Sequence, residues 1–387
     1  MICFIFPSFG LIVNPSFTSF DQVQIADITS ADSIQMQILD FNFTLNKAPS
    51  SPLYSFNGTD FSTEQQDDCF YTTSDASAFH ICNGIHGTFV SENGTGYKIS
   101  PVITNECQIA DISSNHELTE QLIPQDSFCG VYNISFITPL KRRLEKRILN
   151  DASSTNPRVV DILLFIDYSF YADRGQNAPI DAQNFLNGAN QIYAMNMFNE
   201  PISLNVTAMV MLTSDLLILN SNNLMTDFLP LFYEYTQELA TQNPTIHYLT
   251  NPDVSFMLSH KLTMPPTTVG LAYVGGACGS PNSGIASRLG GELDSWVNLV
   301  VAHEIGHLLG ASHDGTHNNC PNTGNIMAPF ISSSNPIDIN EFSTCSKSYL
   351  NAFISTIGHE CLIQQSISTT QICGNGFVDP GEEFLIY

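Results

Sequence analysis

The spacing of apolar residues changes about a third of the way along the chain. From about residue 20 to 140, short apolar runs alternate with Gly, Asn, Ser and Asp, as in QMQILDFNFTL and GTGYKISPVI. Short apolar runs bounded by turn residues are typical of β-strands with tight connections. This part therefore predicts a β-rich domain. It carries four of the five N-x-[ST] sequons, which are Asn42, Asn57, Asn93, Asn133 and Asn205.

In the second part, longer apolar runs predict strands that alternate with helices. The predicted strands are 159–170, 202–213 and 254–260, and the predicted helices are 178–198 and 231–242. The run VVDILLFIDYSF is nearly continuous, which is typical of a strand covered on both faces. Alternating strands and helices favour a largely parallel sheet. The segment TVGLAYVGGAC, 268–278, predicts one more strand, at an edge because glycine is frequent in it.

The segment SWVNLVVAHEIGHLLGASHDG, 295–315, predicts a core helix, with Trp296, Leu299, Val300 and Leu308 on one stripe.

The same helix carries the residue types of a metal site. His303 and His307 are four residues apart, so both imidazoles reach one cation, and Glu304 is placed to take a proton from water on that cation. Gly310 can end the helix with a positive φ, which makes His313 the third ligand. Three neutral nitrogens leave one position open, and a metal lowers the pKa of water there to about 7. A Lewis acid and a general base acting on one water are what amide hydrolysis requires.

The alternative is a core helix whose histidines are only hydrogen-bonded. A bare H-E-x-x-H fits both interpretations, whereas the complete H-E-x-x-H-x-x-G-x-x-H pattern favours zinc. Met327, in GNIMAPF, stands where such sites have a turn beneath the metal.

Composition indicates the cellular compartment of the protein and argues against one class of partner. With 12 basic and 37 acidic residues the net charge is −25, which argues against nucleic acid. Ten cysteines and the sequons favour secretion. The apolar residues 1–18 predict a poor signal peptide, with a buried first strand as the alternative. No apolar run is long enough to predict a transmembrane segment in this chain.

At these residues the sequence resembles a family. HEIGHLLGASHDG followed by NIMAP looks like a metzincin zinc endopeptidase, and Asp314 after the third histidine is similar to the adamalysin or reprolysin type (ADAM-type, M12B). VVDILLFIDYSFY, NQIYAMNMF, VGLAYVGGAC and FSTCSKSYLNAFISTIGHECL resemble further parts of that catalytic domain. CFYTTSDASAFHICNGIHGTF resembles the prodomain, and ICGNGFVDPGEE resembles the start of a disintegrin domain.

The resemblance implies a fold class and a division into domains. The expected fold is an α/β (α+β) zincin: a β-rich prodomain, then a metzincin domain with a mostly parallel twisted sheet, long helices and an edge strand over the active-site cleft. The expected division is 1–18 signal peptide, 19–147 prodomain, 148–366 catalytic domain and 367–387 linker with a truncated disintegrin start.

The resemblance also implies the roles of individual residues. Zinc binds to His303, His307 and His313, Glu304 is the general base, and Met327 lies beneath the metal. An extended substrate pairs with the edge strand, whose residues are Gly270, Leu271, Ala272, Tyr273 and Val274. The implied disulfides are Cys278–Cys361, Cys320–Cys345 and, in the prodomain, Cys69–Cys82.

Some family members bind a structural calcium, and Asp161 and Asp253 occupy matching positions. Gln364 stands where Asn is usual, so the alternative is a pair of solvated carboxylates.

A cysteine of the prodomain is expected to block the metal. A thiolate is a good zinc ligand, and Cys129-Gly130-Val131 resembles the family's C-G-[VI] element. The alternative is Cys107, with Cys129 as half of a disulfide. Five of the 12 basic residues lie in KRRLEKR, 141–147. We interpret this segment as a linker that a secretory-pathway convertase cuts after Arg147 or Arg143.

Two function classes follow. The first is a zymogen of a zinc endopeptidase acting on protein or peptide substrates, either secreted or the lumenal ectodomain of a membrane protein. The second is an adhesion protein that uses the protease fold as a scaffold. The disintegrin resemblance breaks off after Glu383 and leaves Cys373 without its expected partner, and all three histidines are intact. The enzyme is therefore favoured.

Overall fold

The structure is a computed structural model that describes most of the chain. The described residues are 11–17, 31–64, 66–82, 84–91, 94–102, 115–121, 127–132, 158–215, 225–260, 268–287, 294–331 and 341–362. The basic segment 141–147 with both cleavage positions, Cys107, Gln364 and the disintegrin-like segment 367–387 lie outside these ranges.

The strands fall into two groups along the chain. Those before the basic segment are β1 Leu11–Val13, β2 Ser16–Phe17, β3 Ser33–Ile38, β4 Phe41–Lys47, β5 Leu53–Phe56, β6 Phe61–Glu64, β7 Phe70–Thr72, β8 Ala78–His80, β9 His86–Val90, β10 Gly96–Pro101, β11 His116–Gln121 and β12 Ser127–Tyr132. Those after it are β13 Arg158–Ile166, β14 Ile202–Leu212, β15 Val254–Ser259, β16 Thr268–Tyr273, β17 Ser283–Ser287 and β18 Phe330–Ile331.

The described helices all follow the basic segment. They are α1 Tyr168–Arg174, α2 Ala178–Met195, α3 Met225–Gln242, α4 His247–Thr250, α5 Asp294–Leu308 and α6 Thr344–Phe353, with a 3-10 turn at Gly175–Asn177. Helix α6 continues through a π-helical turn, Ile354–Gly358, into His359–Cys361. Local signals explain several starts: the Asp167 carboxylate accepts from the Phe170 amide at 2.8 Å, and the Ser343 hydroxyl accepts from the Ser346 amide at 3.1 Å.

Two sheets are present in the described part of the chain. The N-terminal sheet has the order β1-β11-β10-β9-β8-β7-β4-β3-β2, and all its pairs are antiparallel. The second, here called the mixed sheet, has the order β18-β12-β16-β17-β15-β13-β14-β5-β6. Its central pairs β13/β14, β13/β15 and β15/β17 are parallel, whereas β16 and β17 are antiparallel.

The mixed sheet is covered by helices on both faces. From β13, Ile162 and Leu164 pack into one cluster with residues of α2 and α5, and Leu163 and Phe165 pack into another with residues of α3. This alternation follows from the two-residue period of a strand. The sequence therefore predicted the mixed α/β class and the doubly covered strand β13, but β13 ends at Ile166 and not at 170.

Strands from the N-terminal part flank the mixed sheet at both ends. The hairpin β5–β6 pairs with β14, and β12 pairs with β16 and β18. The sequence predicts this sheet from residues after 148 only, and it predicts β16 as an edge strand. In the full chain β16 is not at an edge, because β12 covers its outer side.

Three smaller differences concern single segments. Strand β17 has no counterpart among the predicted elements. Helix α5 is buried nearly all round rather than along one stripe. Residues 11–13 form a strand that pairs with β11, but only Val13 is buried and Leu11 and Ile12 are exposed, so the alternative of a buried first strand fits in part.

Within the described ranges, none of the helices combines the length and the apolar character that crossing a bilayer would need.

Candidate metal centre

Three histidine side chains converge at the end of helix α5. The Nε2 atoms of His303 and His307 are 3.0 Å apart, those of His307 and His313 are 3.1 Å apart, and those of His313 and His303 are 3.2 Å apart. Zn–N bonds of 2.0–2.1 Å in tetrahedral geometry place two nitrogens about 3.3 Å apart. The three side chains therefore fit one small cation.

The tautomers of two ligands follow from backbone partners. Nδ1 of His303 lies 2.7 Å from the carbonyl oxygen of Ile326, and Nδ1 of His307 lies 2.7 Å from that of Ala311. A carbonyl only accepts, so each Nδ1 carries the ring proton and each Nε2 presents a lone pair. Lone pairs at these separations repel one another unless they share a cation.

Burial keeps these imidazoles neutral. It lowers the pKa of His307 to about 3 and that of His313 to about 4, and His313 adds to the effect at His307. Burial, followed by the neighbouring histidines, also lowers the pKa of His303. Neutral imidazole is the form that binds metals, so all three histidines could serve as ligands at neutral pH.

A glycine-terminated helix end brings His313 back to the other two. Gly310 has φ +92°, its amide donates to the His307 carbonyl at 2.8 Å, and the Ala311 amide donates to the Gly306 carbonyl at 2.9 Å. These are the two hydrogen bonds of a Schellman C-cap. The helix therefore stops directly after the second ligand.

Met327 lies against the helix between the two ligands that α5 supplies. A Cβ at Gly306 would be 2.7 Å from the Met327 sulfur, so the sulfur occupies the space that a side chain at Gly306 would need. The backbone carbonyl of Met327 accepts from the Asp314 amide at 2.9 Å. The turn after the third histidine and the turn at Met327 are thus joined directly.

The Asp314 carboxylate joins this turn to helix α6. It accepts from the hydroxyls of Ser343 (2.6 Å) and Ser346 (2.9 Å). Burial raises the pKa of Asp314, and the two hydroxyls oppose that rise.

Glu304 is fully buried and lies against strand β16. A Cβ at Gly270 would be 2.2 Å from Oε1 of Glu304, so only glycine leaves room for the carboxylate there. Of the five predicted substrate-strand residues, Gly270 to Tyr273 lie in β16 and Val274 lies in the turn after it. The structure therefore brings the three histidines, Glu304, Met327 and β16 together.

Strand β12 pairs with β16, the strand that Glu304 contacts. It is parallel to β16, with Cys129 opposite Gly270, and antiparallel to β18, with Phe128 opposite Phe330. The backbone of Cys129 is thus placed beside the glycine that contacts Glu304.

The described residues contain three disulfides, Cys69–Cys82, Cys278–Cys361 and Cys320–Cys345. The second ties the loop after β16 to the C-terminal helical turn, and the third ties the loop after His313 to α6.

The two aspartates considered for calcium are buried, so the alternative of solvated carboxylates was wrong. Asp253 Oδ2 accepts from the Asp161 amide at 2.9 Å, and Asp161 Oδ1 accepts from the Asn205 side chain at 2.9 Å. The described residues form no cluster of three metal-binding side chains that includes Asp161. These contacts hold both carboxylates in place, and a calcium ion bound by Asp161 and Asp253 stays a prediction.

Sequence reasoning missed a charge cluster at the start of α5. The carboxylate of Asp294, 1% exposed, pairs with Lys98 at 2.7 Å and with Arg174, which also pairs with Asp181 at 2.6 Å. Burial lowers the pKa of Arg174, but the neighbouring carboxylates of Asp181 and Asp294 have the larger combined effect. The pKa of Arg174 is therefore raised. The Asp294 amide donates to Gln121 at 3.0 Å. Lys98 and Arg174 are 196 and 120 positions from Asp294 in the sequence, so no local pattern reveals this cluster.

Comparison with known proteins agrees with this geometry. Residues 156–343 match the family model described as Metallo-peptidase family M12. The chain is also similar to the solved structure of metalloproteinase-II from Bacteroides fragilis, at 13% identity and a TM-score of 0.42, over 82% of this chain and 88% of that chain. That structural similarity is too weak to support a functional comparison. The matched segment is just under half of the chain and contains all three histidines, Glu304 and Met327. Residues 156–343 are therefore similar to metallopeptidases of family M12.

Proposed function

We propose that the protein is a zinc-dependent endopeptidase of the adamalysin type, made as a zymogen. The observation that carries the proposal is the convergence of three histidine Nε2 atoms within 3.0–3.2 Å of one another, with Glu304 on the helix that carries His303 and His307. The family match to residues 156–343 supports the peptidase class.

Zinc, when bound by the three histidines, supplies a Lewis acid that lowers the pKa of water. The chain supplies the remaining functions. Glu304 accepts the proton of the attacking water and delivers it to the leaving amine. The backbone of β16 offers hydrogen-bonding groups to an extended peptide, and Gly270 keeps that backbone close to Glu304. The substrate class is therefore an extended segment of a protein or peptide.

The arrangement of β12 supports a zymogen in which the N-terminal part covers the cleft. This strand pairs with β16, and the register sets Cys129 beside Gly270. A thiolate competes with water for a zinc ion, so we propose Cys129, whose backbone pairs with β16, as the blocking cysteine. In this proposal a convertase cuts the segment 141–147 after Arg147 or Arg143, and the disulfides support maturation in the secretory pathway.

The proposal is tested with protein from which the N-terminal part has been removed. We expect it to cleave a denatured protein substrate and to lose activity with a zinc chelator. Glu304→Gln should lower kcat/KM about a hundredfold to ten-thousandfold, because a general base is lost. Zinc content should stay at one ion per chain, since the carboxylate is not a ligand.

A Glu304→Gln variant as active as the parent would refute this mechanism. A chain that binds no zinc would instead favour the adhesion protein.

A further inference from the structure

We propose that Asn196, which directly follows helix α2, is a positioning residue for the three-histidine cluster. It acts through the backbone of residues 341–343, which are hydrogen-bonded to the backbone partner of His303 and to the residue after His313. The inference rests on the proposed function for the role of the cluster, and its first test is made on the metal-free protein.

The side chain of Asn196 is buried and makes hydrogen bonds in two directions. Its Nδ2 donates to the Ile192 carbonyl of α2 at 2.8 Å, and its Oδ1 accepts from the Phe342 amide at 2.9 Å. The residue is 7% exposed. The first bond orients the carboxamide on the helix, so the second fixes the Phe342 backbone to the end of α2.

The residue before Phe342 connects this contact to the first histidine. The Glu341 carbonyl accepts from the Ile326 amide at 3.1 Å. The Ile326 carbonyl in turn accepts the Nδ1 proton of His303 at 2.7 Å. The orientation of the His303 ring therefore depends on where residues 341 and 342 lie.

The residue after Phe342 connects the same contact to the third histidine. The Ser343 hydroxyl donates to the Asp314 carboxylate at 2.6 Å, and Asp314 directly follows His313. The Asp314 amide donates to the Met327 carbonyl at 2.9 Å. One segment of three residues thus supports both His303 and His313.

Phe342 itself packs against helix α5 between the two histidines that the helix carries. A Cβ at Gly306 would be 3.4 Å from Cε1 of Phe342. The Phe342 ring lies 5.2 Å from the Tyr193 ring, and the Tyr193 hydroxyl donates to the Ala302 carbonyl of α5 at 2.9 Å. Asn196 joins this packing to the backbone of residues 341–343.

Helix α2 offers a matched control residue. Oδ1 of Asn190 accepts from the Leu204 amide at 2.8 Å, which is the same kind of bond from the same helix. Leu204 lies in β14, a strand that carries none of the residues of the candidate metal centre. Asn190→Ala therefore removes an equivalent bond without touching residues 341–343.

The first test is hydrogen exchange in the full chain after a chelator has removed metal. In Asn196→Ala the Phe342 and Ile326 amides should exchange about tenfold faster, the equivalent of one hydrogen bond, while the Leu204 amide is unchanged. In Asn190→Ala the Leu204 amide should exchange faster and the other two should not. An unchanged Ile326 amide in Asn196→Ala, or equal acceleration at all three amides, would overturn the proposal.

The second test is the rate at which the zinc-loaded full chain loses Zn²⁺ to a chelator. Loss of a group that holds a ligand weakens metal binding about 10- to 100-fold, and Asn196 acts through one further segment. We therefore expect about tenfold faster loss from Asn196→Ala and the parent rate from Asn190→Ala. Asn196→Asp keeps an oxygen that accepts from Phe342 and should lose zinc more slowly than Asn196→Ala.

Zinc loss from Asn196→Ala at the parent rate, or equally fast loss from Asn196→Asp and Asn196→Ala, would overturn the proposal. A parent chain that binds no zinc would contradict the proposed function, and the exchange measurement would still decide whether Asn196 positions the cluster.

Discussion

At the scale of single residues, the site depends on a glycine, Gly270, which has no side chain. Gly270 stands opposite Cys129 on one side and against the Glu304 carboxylate on the other. The added carbon of an alanine would come within 2.2 Å of Oε1, which is less than any real contact between these atoms. The position therefore controls where the proposed general base lies.

Gly270→Ala is expected to displace Glu304 without removing a metal ligand. A displacement of about 1 Å costs on the order of a hundredfold in rate. We expect kcat/KM to fall by about that factor while zinc content is unchanged. Loss of zinc together with activity would show that the substitution disturbs the histidines, against this interpretation.

A second residue-scale prediction concerns His80 in the N-terminal sheet. It is 1% exposed and packs on Phe70, with ring centroids 4.8 Å apart. Burial, and then His86, lowers the pKa of His80 to about 3. Between pH 6.5 and about 3 the unfolded chain binds a proton at this position and the folded chain does not. The free energy of unfolding therefore falls with acidification, by about 1.4 kcal/mol per pH unit from this group.

His80→Phe should flatten this part of the pH dependence in denaturant titrations between pH 7 and 4. His317→Gln, which removes an exposed imidazole, serves as the control for the loss of a histidine. An unaltered slope in His80→Phe would exclude His80 as the source.

At the scale of elements, helix α5 is fixed at both ends by different chemistry. Its C-terminal end is closed by Gly310 and joined through Asp314 to α6. Its N-terminal end has the carboxylate of Asp294 between Lys98 and Arg174. Lys98 comes from the N-terminal sheet, and Arg174 ends α1. The helix that carries two of the three histidines is therefore held by charges from both sides of the basic segment.

The two cations should differ in their contribution to stability. Arg174→Met leaves Asp181 and Asp294 buried without their shared partner, which costs about 3–5 kcal/mol. Lys98 is partly exposed, and Arg174 remains after Lys98→Met, so that loss should be about 1 kcal/mol or less. Chemical denaturation of both variants in the full chain checks the order, and an equal loss would contradict it.

At the scale of the whole molecule, the sequence predicted what is local and missed what is distant. The three histidines proposed to bind the metal lie within 11 consecutive positions, where helical spacing and one glycine determine their geometry. The strands β13 and β14 and the helices α2 and α5 follow from apolar patterns in single segments. The positions of β5 and β12 in the mixed sheet do not, because strand pairing is set by the partner and the alternation of a strand does not name it. The sequence also did not predict that the Asp161 and Asp253 carboxylates are buried, because their burial depends on distant segments.

The strand order of the mixed sheet has a consequence for how the chain folds. The pair β14–β5 joins a segment made early to a segment made much later, as the Thr213 hydroxyl and the Phe56 carbonyl, 157 residues apart, show. The N-terminal sheet consists largely of neighbouring hairpins and can close early, whereas β5, which pairs with β6 along one edge, has no partner on its other edge until β14 has been synthesised. Contacts between distant segments form slowly. During synthesis one edge of the apolar strand β5 therefore stays unpaired until β14 has been made. The neighbouring strand β6 carries Ser62, Thr63 and Glu64, which are exposed in the folded protein.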